Sequence, residues 1–329
     1  MEMDNNMEMD NIDSKERYEL LTQIAEMYYK EGKTQTEIAN YFDTNRFKVA
    51  KLLQDALNEQ IVEIKINYSN ERNKLLEEEL KNRFELNEVL IINNQYLGYI
   101  EGINSIGKTG AEYFSSLLKH NSVIGVTWGK MAHSVISHLK PSTRYPIKVV
   151  ELTGYSGLIN PEIDSRKLIS MMASTYRGSY KYFMAPIYVG NSELKRLLLE
   201  EPVVKEALEL TKKMDIILSG ISGNSNLPMF KKSVEPYLTE KDKSEIKNCI
   251  GSIYGYVLDK NGDIADIDLN KKLISTSIED IFNTKHRILV SIGKYKLEVM
   301  VKAARKKFYN ELITTSEIAM DMLEYDKKI

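Results

Sequence analysis

This chain of 329 residues has a single cysteine and no long apolar run. Because a transmembrane helix needs about 20 apolar residues, the sequence predicts no membrane span and no membrane partner. One cysteine excludes an internal disulfide framework and is typical of a reducing cytoplasm, so we expect Cys249 to be a small packing residue. The acidic N-terminus does not resemble a signal peptide, and we expect residues 1–13 to be a disordered tail.

An excess of charge of one sign is also missing. The 45 lysines and arginines nearly balance the 47 aspartates and glutamates, which leaves a formal net charge of −2. A general nucleic-acid binder carries a strong basic excess, and the sequence lacks one. Any nucleic-acid contact is therefore expected from a local basic surface. The length favours two domains over one.

Residues 34–58 have the pattern of two short helices joined by a tight turn. Thr34 is placed to cap the first helix, because Glu37 follows at the capping-box spacing. Asn45 is a favourable cap for the second helix, whose apolar residues recur at helical spacing. An amphipathic helix over about residues 14–31 precedes the pair. Residues 61–66 alternate with period two, which predicts a wing strand.

The second helix carries a basic face, formed by Arg46, Lys48 and Lys51, opposite its apolar face. This arrangement is typical of a helix-turn-helix whose second helix enters the DNA major groove. For the hairpin taken alone, the alternative is an ordinary helix pair with a solvated basic face. Phe47 either contacts a thymine methyl group or packs inward.

The same stretch resembles the N-terminal domain of the SorC family of bacterial transcriptional regulators. The matching residues are Tyr28, Tyr29, Gly32, Thr34, Gln35, Ile38 and Ala39, then Val49, Leu52 and Leu53, then Ile61, Val62 and Ile64. We expect the operator contacts to come from Thr34, Gln35, Asn45, Arg46, Phe47, Lys48 and Lys51. Asn45, Phe47 and Lys51 depart from the family pattern, so the operator sequence does not carry over.

From residue 88 onward, short apolar runs alternate with helical segments, which predicts a mostly parallel sheet covered by helices. The predicted strands are 89–92, 123–126, 147–152, 180–184, 214–218, 254–258, 287–290 and 311–314. A charged helix over residues 71–84 is a connector packed on its own domain, part of a subunit contact, or both. The predicted organisation is a tail (1–13), a helix-turn-helix domain (14–66), a linker helix (67–87) and a large α/β domain (88–329).

Small and polar residues follow four of the predicted strands, at residues 127–130, 153–157, 219–224 and 291–296. Ligands of parallel sheets bind beyond the carboxyl ends of the strands. Glycine lets the backbone approach a ligand, and a helix N-terminus offers amide donors to an anion. Lys130, Lys294 and Lys296 add positive charge there, although most lysines are solvated surface cations.

The resemblance to the SorC family continues through these segments. It implies a Rossmann-like domain related to the fold of glucosamine-6-phosphate deaminase and ribose-5-phosphate isomerase. It also implies a small sugar or sugar-phosphate effector and a homodimer or homotetramer. The expected effector-binding residues are Thr127, Gly129, Lys130, Met131, Thr153, Gly154, Gly220, Gly223 and Lys296.

Three positions depart from the family pattern in this domain. Met131 stands where a threonine is usual, Ile292 where a second glycine is common, and Tyr155 where a glycine pair is frequent. These changes remove hydrogen-bond donors and add bulk, so an unusual effector, a less phosphorylated one or none at all are the alternatives. Lys130 and Lys296 can compensate electrostatically.

An enzyme is the main rival, because the large domain resembles sugar-phosphate isomerases. Such chemistry needs a carboxylate or a histidine placed as acid or base. The chain has four histidines, His120, His133, His138 and His286, and none stands with a carboxylate at an evident strand-end site. Metal-ligand spacing is absent. Asp263, Asp266 and Asp268 are close together, as in a calcium site, but the pattern favours a turn leading into a short strand. We therefore expect that the protein has no enzymatic activity and binds neither a metal ion nor a cofactor.

Together the helix-turn-helix pattern and the family resemblance predict a cytoplasmic, sequence-specific DNA-binding transcriptional regulator of sugar or carbohydrate metabolism, and the resemblance alone favours repression over activation. Double-stranded operator DNA is the expected partner, and the resemblance implies a small sugar or sugar-phosphate effector and further copies of the same chain. A helix-turn-helix regulator whose large domain serves only oligomerisation or partner binding is the second alternative.

Overall fold

The chain forms two compact units, residues 1–68 and 69–329. The computed structural model describes residues 14–64, 71–93, 98–141, 145–157, 160–224 and 235–329. The tail predicted over residues 1–13 lies outside the described residues.

The N-terminal unit contains three described helices, α1 (Ser14–Tyr29), α2 (Gln35–Tyr41) and α3 (Arg46–Asn58). Their apolar faces meet in one small core that includes Leu21, Ile24, Ile38 and Val49, all fully buried. Each such side chain contributes roughly 2 kcal/mol relative to an exposed position. Arg17 adds an ion pair from α1 to the end of α3, with its guanidinium 2.9 Å from the carboxylate of Asp55.

The predicted wing is not a strand over residues 61–64, which have no regular structure. The backbone amides of Ile61 and Val62 both donate to the carbonyl of Ala56, at 2.9 and 3.1 Å, and so close the end of α3. Residues 65 and 66, the rest of the predicted wing, lie outside the described residues.

A seven-stranded sheet organises the large unit. The described strands are β1 (Glu88–Ile92), β2 (Val123–Val126), β3 (Lys148–Glu151), β4 (Ser179–Lys181), β5 (Ile216–Ser219), β6 (Ser222–Gly223), β7 (Gly251–Ile253), β8 (Tyr256–Leu258), β9 (His286–Val290) and β10 (Glu311–Thr315). The large sheet has the order β1-β10-β9-β5-β2-β3-β4, and all of its described pairings are parallel. The prediction of an α/β fold with a mostly parallel sheet is confirmed.

The remaining three strands form a separate antiparallel sheet in the order β6-β7-β8. The strand predicted at residues 254–258 is therefore wrong as a member of the parallel sheet. Tyr254 and Gly255 have positive φ angles of 54° and 85°, which form a two-residue turn. This turn reverses the chain, so that β8 pairs with β7.

Apolar side chains cover both faces of the parallel sheet. On β1, Val89 and Ile91 join one core cluster, while Leu90 and Ile92 join the other, as the alternation of a strand requires. The described helices of this unit are α4 (Lys74–Phe84), α5 (Tyr99–Leu117), α6 (Lys130–Ser137), α7 (Ser165–Thr175), α8 (Ser192–Glu200), α9 (Pro202–Thr211), α10 (Glu240–Ile246), α11 (Asp268–Lys271), α12 (Ile278–Asn283), α13 (Leu297–Arg305) and α14 (Ser316–Asp326).

The charged helix α4 packs on the large unit. Leu76, Leu80 and Phe84 are buried in the same cluster as Val89 and Ile91 of β1. This packing corresponds to the connector alternative, in which the helix is held by its own domain. Cys249 is buried in a smaller cluster, as expected for a packing residue, and burial raises the pKa of its thiol.

The aspartates near residue 265 do not precede a strand, which corrects that prediction. A single bridge between Leu258 and Ile264 follows the turn, and the chain then enters the short helix α11. Asp263 is 2.6 Å from the ammonium of Lys306. Within the described ranges there is no group of three acidic, histidine or cysteine side chains that could hold a metal ion. The described helices also include none long and apolar enough to cross a membrane.

Candidate functional site

Both predicted helix caps of the helix-turn-helix are formed. The Thr34 hydroxyl accepts the backbone amide of Glu37 at 3.3 Å, and the Glu37 carboxylate accepts the amide of Thr34 at 2.8 Å. These bonds hold the pKa of Glu37 below its usual value. The Asn45 side chain accepts the amide of Lys48 at 2.9 Å and fixes the start of α3. The caps leave the hydroxyl of Thr34 engaged within its own helix.

Most side chains on the outer face of α3 are exposed to solvent. Arg46, Phe47 and Lys51 are exposed, whereas Lys48 is half-buried. Phe47 is 71% exposed, which excludes the inward-packing alternative. The guanidinium of Arg46 lies 4.8 Å from the centre of that ring. Gln54 extends the face beyond Lys51, at a spacing of seven residues from Phe47, and the sequence reasoning missed it.

Gln35, the other residue assigned to DNA from α2, is half-buried at the first position of that helix. Its place is typical of the first helix of a helix-turn-helix, which crosses the DNA backbone. The exposed outer face of α3 therefore includes Arg46, Phe47, Lys51 and Gln54, and Gln35 and the capped helix starts belong to the same unit.

In the large unit, a cavity of about 260 Å³ opens beyond the carboxyl ends of β9, β5 and β2, which are neighbours in the sheet. Its lining is Tyr99, Thr127, Trp128, Gly129, Lys130, Met131, Ile163, Gly220, Ile221, Ser222, Ser252, Ile253, Tyr254, Gly255, Ile292, Tyr295 and Lys296. Six of the nine residues expected to bind an effector are among them: Thr127, Gly129, Lys130, Met131, Gly220 and Lys296.

The loop after β2 supplies the floor of the cavity. Thr127 is buried, and its hydroxyl accepts the backbone amide of Gly220 at 3.4 Å, which joins this loop to the end of β5. Gly129 has a φ of 130°, and its amide donates to the carbonyl of Ile163 at 3.0 Å. Helix α6 begins directly after it, so its first-turn amides have no partner within the helix. They give this wall a positive potential.

Two lysines line the cavity without an acidic partner. Within the described part of the chain, neither Lys130 nor Lys296 forms an ion pair, and the ammonium of Lys296 lies 5.5 Å from the centre of the Tyr295 ring. Burial, together with the nearby charge of Lys130, lowers the pKa of Lys296 to about 8. An anion between the two lysines would offset both effects.

Lys294, which was also expected to face the ligand, does not line the cavity. Its ammonium is 3.0 Å from the carboxylate of Glu317 and 3.3 Å from that of Asp321. These two acids hold the side chain on α14. The prediction for Lys294 is therefore corrected.

The second expected loop, after β3, is closed. Thr153 is 1% exposed and Gly154 donates its amide to the carbonyl of Ile274 at 2.9 Å. A Cβ atom on Gly154 would lie 2.4 Å from the carbonyl oxygen of Pro186. The segments around Pro186 and Ile274 thus cover this loop, and neither Thr153 nor Gly154 reaches the cavity.

Gly223 has a supporting position. A Cβ atom there would lie 2.3 Å from the carbonyl oxygen of Tyr295. The glycine therefore allows β6 to pack against the turn that carries Lys296, although Gly223 itself does not line the cavity.

A buried carboxyl group lies beside the closed loop. Glu151, at the end of β3, accepts hydrogen bonds from the hydroxyl of Ser165 and from the amide of Phe183, the latter at 3.2 Å. Burial raises its pKa to about 7. The neighbouring Arg166 stacks on Tyr155, with 4.2 Å between the guanidinium carbon and the ring centre.

Sequence reasoning also missed a histidine–carboxylate pair. His286 and Glu311 lie 2.6 Å apart at the first residues of β9 and β10. Parallel pairing brings the starts of these strands together, although they are distant in sequence. The pair therefore lies at the amino edge of the sheet, opposite the cavity.

Residues 68–324 match the protein family described as "Putative sugar-binding domain". The chain belongs to the SorC family of sugar-binding transcriptional regulators.

Curated relatives of this SorC-family chain match it along almost the whole length. The sorbitol operon regulator of Klebsiella pneumoniae is 25% identical over 312 residues, which cover 93% of this chain and 98% of the relative. The deoxyribonucleoside regulator of Bacillus subtilis (strain 168) is 24% identical over 309 residues, covering 93% and 97%.

Solved structures show the same fold. The crystal structure of the full-length sorbitol operon regulator SorC from Klebsiella pneumoniae has a TM-score of 0.71 at 24% identity, and the match covers 95% of this chain and 100% of that one. A transcriptional regulator from Streptococcus pneumoniae TIGR4 has a TM-score of 0.72 at 24% identity, covering 77% and 97%.

Proposed function

We propose that this SorC-family protein is a cytoplasmic, sequence-specific transcriptional regulator whose large unit binds a small sugar or sugar-phosphate effector. One observation carries the proposal. The chain that presents a cationic reading face on α3 also holds a cavity with two lysines that no described acid neutralises. The names of the relatives, a sorbitol operon regulator and a deoxyribonucleoside regulator, support the same function.

On DNA, α3 lies in the major groove. Arg46 and Lys51 contact phosphates or guanine edges, and Gln54 reaches an adenine edge. The exposed ring of Phe47 contacts a thymine methyl group. Because the net charge is −2, one reading helix collects few phosphate contacts. A dimer or tetramer that places two such helices on two half-sites is therefore part of the proposal.

In the large unit, the effector binds at the carboxyl ends of β2, β5 and β9. Its anionic group lies at the start of α6, between Lys130 and Lys296. If the effector binds one arrangement of the assembly more tightly, it favours that arrangement, and DNA changes effector affinity by the same factor. We propose repression, released by the effector, as the direction of control.

We also propose that the protein is not an enzyme. Its curated relatives are transcriptional regulators. The only hydrogen-bonded histidine–carboxylate pair among the described residues, His286 and Glu311, lies at the edge of the sheet opposite the cavity.

The test of the DNA-binding assignment uses an operator duplex selected by the wild-type protein from random sequence. Arg46→Ala and Lys51→Ala should each weaken binding about tenfold or more, because each removes a contact worth roughly 1–3 kcal/mol if it reads a base. A lost phosphate contact should lower the slope of log affinity against log salt by about 0.9. Affinity is measured by fluorescence anisotropy at several salt concentrations.

Lys30→Ala is the matched control. Lys30 is an exposed cation directly after α1, and its ammonium lies 2.5 Å from the carboxylate of Glu26 in that helix. It should leave affinity and salt slope unchanged. Unchanged affinity in both the Arg46 and Lys51 variants would overturn the recognition-helix assignment.

A further inference from the structure

The walls of the cavity are more apolar than its two lysines suggest. Met131, Ile163, Ile221, Ile253 and Ile292 are all at most 7% exposed and all line it. Aromatic residues Trp128, Tyr254 and Tyr295 extend this surface. A ligand that enters the cavity therefore places most of its body against carbon atoms.

The polar side chains that remain are few and partly committed. Thr127 already accepts the amide of Gly220, and the Tyr254 hydroxyl donates to the carbonyl of Phe308 at 3.0 Å. Ser222 and Ser252 supply hydroxyl groups from the antiparallel sheet, and the hydroxyls of Tyr99 and Tyr295 and the indole N–H of Trp128 are the other polar side-chain groups. Among the described lining residues there is no carboxylate, amide or guanidinium side chain, the groups that hold two hydroxyls of a sugar at once.

The cationic part of the cavity is concentrated at one end. Lys130 is the first residue of α6 and lies beside Lys296, whose pKa it lowers. With the first-turn amides of α6, the two lysines suit a doubly charged group such as a phosphate monoester. The large hydrophobic residues next to them, Met131 and Ile292, then face the part of the ligand that is attached to the phosphate.

We infer, on the basis of the effector site proposed above, that this cavity selects a deoxygenated sugar phosphate over a fully hydroxylated one. The phosphate lies between Lys130 and Lys296, and carbon atoms without hydroxyl groups face Met131, Ile253 and Ile292. Each hydroxyl buried against these side chains loses its water without gaining a partner, which weakens binding by about tenfold. The volume of about 260 Å³ is small for a ligand site and fits a single sugar ring or a shorter chain.

The test compares three phosphates that share one charge and differ in hydroxyl groups: glucose 6-phosphate, 2-deoxyglucose 6-phosphate and cyclohexylmethyl phosphate. Affinity for the full-length protein is measured by calorimetric titration, with inorganic phosphate as the reference. Affinity should rise in that order, by about tenfold or more between the first and the last, because at least one hydroxyl group of glucose 6-phosphate is buried against these side chains. Equal affinity, or tighter binding of glucose 6-phosphate, would overturn the inference and leave the effector site in place.

Two variants give an independent readout. Met131→Thr and Ile292→Ser each add a hydroxyl partner and remove apolar surface, so each should reduce the preference for cyclohexylmethyl phosphate severalfold. Met320→Thr is the control, because Met320 is an exposed methionine on α14 outside the cavity lining. A preference that survives both cavity variants would also contradict the inference. If none of the phosphates binds the wild-type protein, both the proposed effector site and the inferred selectivity are wrong.

Discussion

Two loops at the same edge of the sheet, which the sequence presents as equivalent, differ in access. Both follow neighbouring parallel strands, and both combine threonine with glycine: Thr127 and Gly129 after β2, and Thr153 and Gly154 after β3. The first loop opens into the cavity. The second is bridged to the segments at Pro186 and Ile274 and is buried. The composition of a strand-end loop indicates what it can bind, but segments distant in sequence decide whether a ligand reaches it.

The two loops also differ in the ionisable group that lies beside each of them. Beside the open loop, Lys296 has a lowered pKa and no described acidic partner. Beside the closed loop, the carboxyl group of Glu151 has a raised pKa and is enclosed by Ser165 and Phe183. We therefore expect pH to change stability through Glu151 below about pH 8, and to change ligand affinity through Lys296 above it.

The largest expected difference is in the stability that each region loses when one of its glycines is replaced by alanine. Gly154→Ala should lower the free energy of unfolding by about 3 kcal/mol, because its Cβ would lie 2.4 Å from backbone at Pro186. Gly220→Ala is the matched variant at the open cavity, where no atom lies within 4 Å of the added Cβ. It should cost less than about 1 kcal/mol. Denaturant unfolding measures both, and equal losses would contradict the distinction.

The second effect concerns Glu151 and stability. Its folded pKa is about 7 instead of 4.5, so the folded chain holds this proton more tightly than the unfolded chain does. Stability from this group is therefore lost as pH rises from about 5 to 7 and does not return above that range. Glu151→Gln removes the charge. Its amide oxygen can still accept the Phe183 amide, and its NH2 group can donate to the Ser165 hydroxyl in place of the bond that the carboxylate accepts.

Relative to wild type, the Glu151→Gln protein should gain about 2 kcal/mol of unfolding free energy between pH 5 and pH 8. The readout is the difference between the two proteins in urea unfolding at each pH. Glu79→Gln, an exposed position on α4, is the control and should run parallel to wild type. If the difference in unfolding free energy between the Glu151 variant and wild type stays constant with pH, Glu151 does not cause the pH dependence of stability.

The third and smallest effect concerns Lys296 and ligand affinity. A phosphate dianion favours the protonated lysine, and the free protein loses that proton near pH 8 rather than 10.5. Affinity should therefore be highest below pH 8 and fall above it, by up to about tenfold per pH unit. The phosphate itself stays doubly charged above pH 7, because its second pKa is about 6.

Lys296→Arg should flatten this profile, since arginine keeps its charge, and Lys296→Ala should remove the response to an anionic sugar. Lys294→Ala is the control, because Lys294 pairs with acids on α14 outside the cavity. The affinity of 2-deoxyglucose 6-phosphate for each protein is measured by titration at pH 7, 8 and 9. A decline that persists in Lys296→Arg would place the titrating group elsewhere.

Features that depend on neighbours in sequence were predictable. The caps at Thr34 and Asn45 and the strand Val123–Val126 require only local spacing, and the structure has them as predicted. The sequence does not predict the antiparallel sheet, because the apolar pattern of residues 254–258 predicts one continuous strand where the structure has a turn at Tyr254 and Gly255. The closure of the loop at Gly154 depends on Pro186 and Ile274, and no local pattern in the loop shows which segments will cover it.

The most direct test of the open cavity uses Trp128, the single tryptophan of the chain, which lines it. Tryptophan emission of the full-length protein is recorded during titration with phosphorylated sugars. The account predicts a saturable change that disappears when Lys130 and Lys296 are both replaced by alanine, and that persists in Tyr155→Phe beside the closed loop. A ligand that raises the unfolding temperature without changing the emission of Trp128 would place the effector site elsewhere and contradict the account.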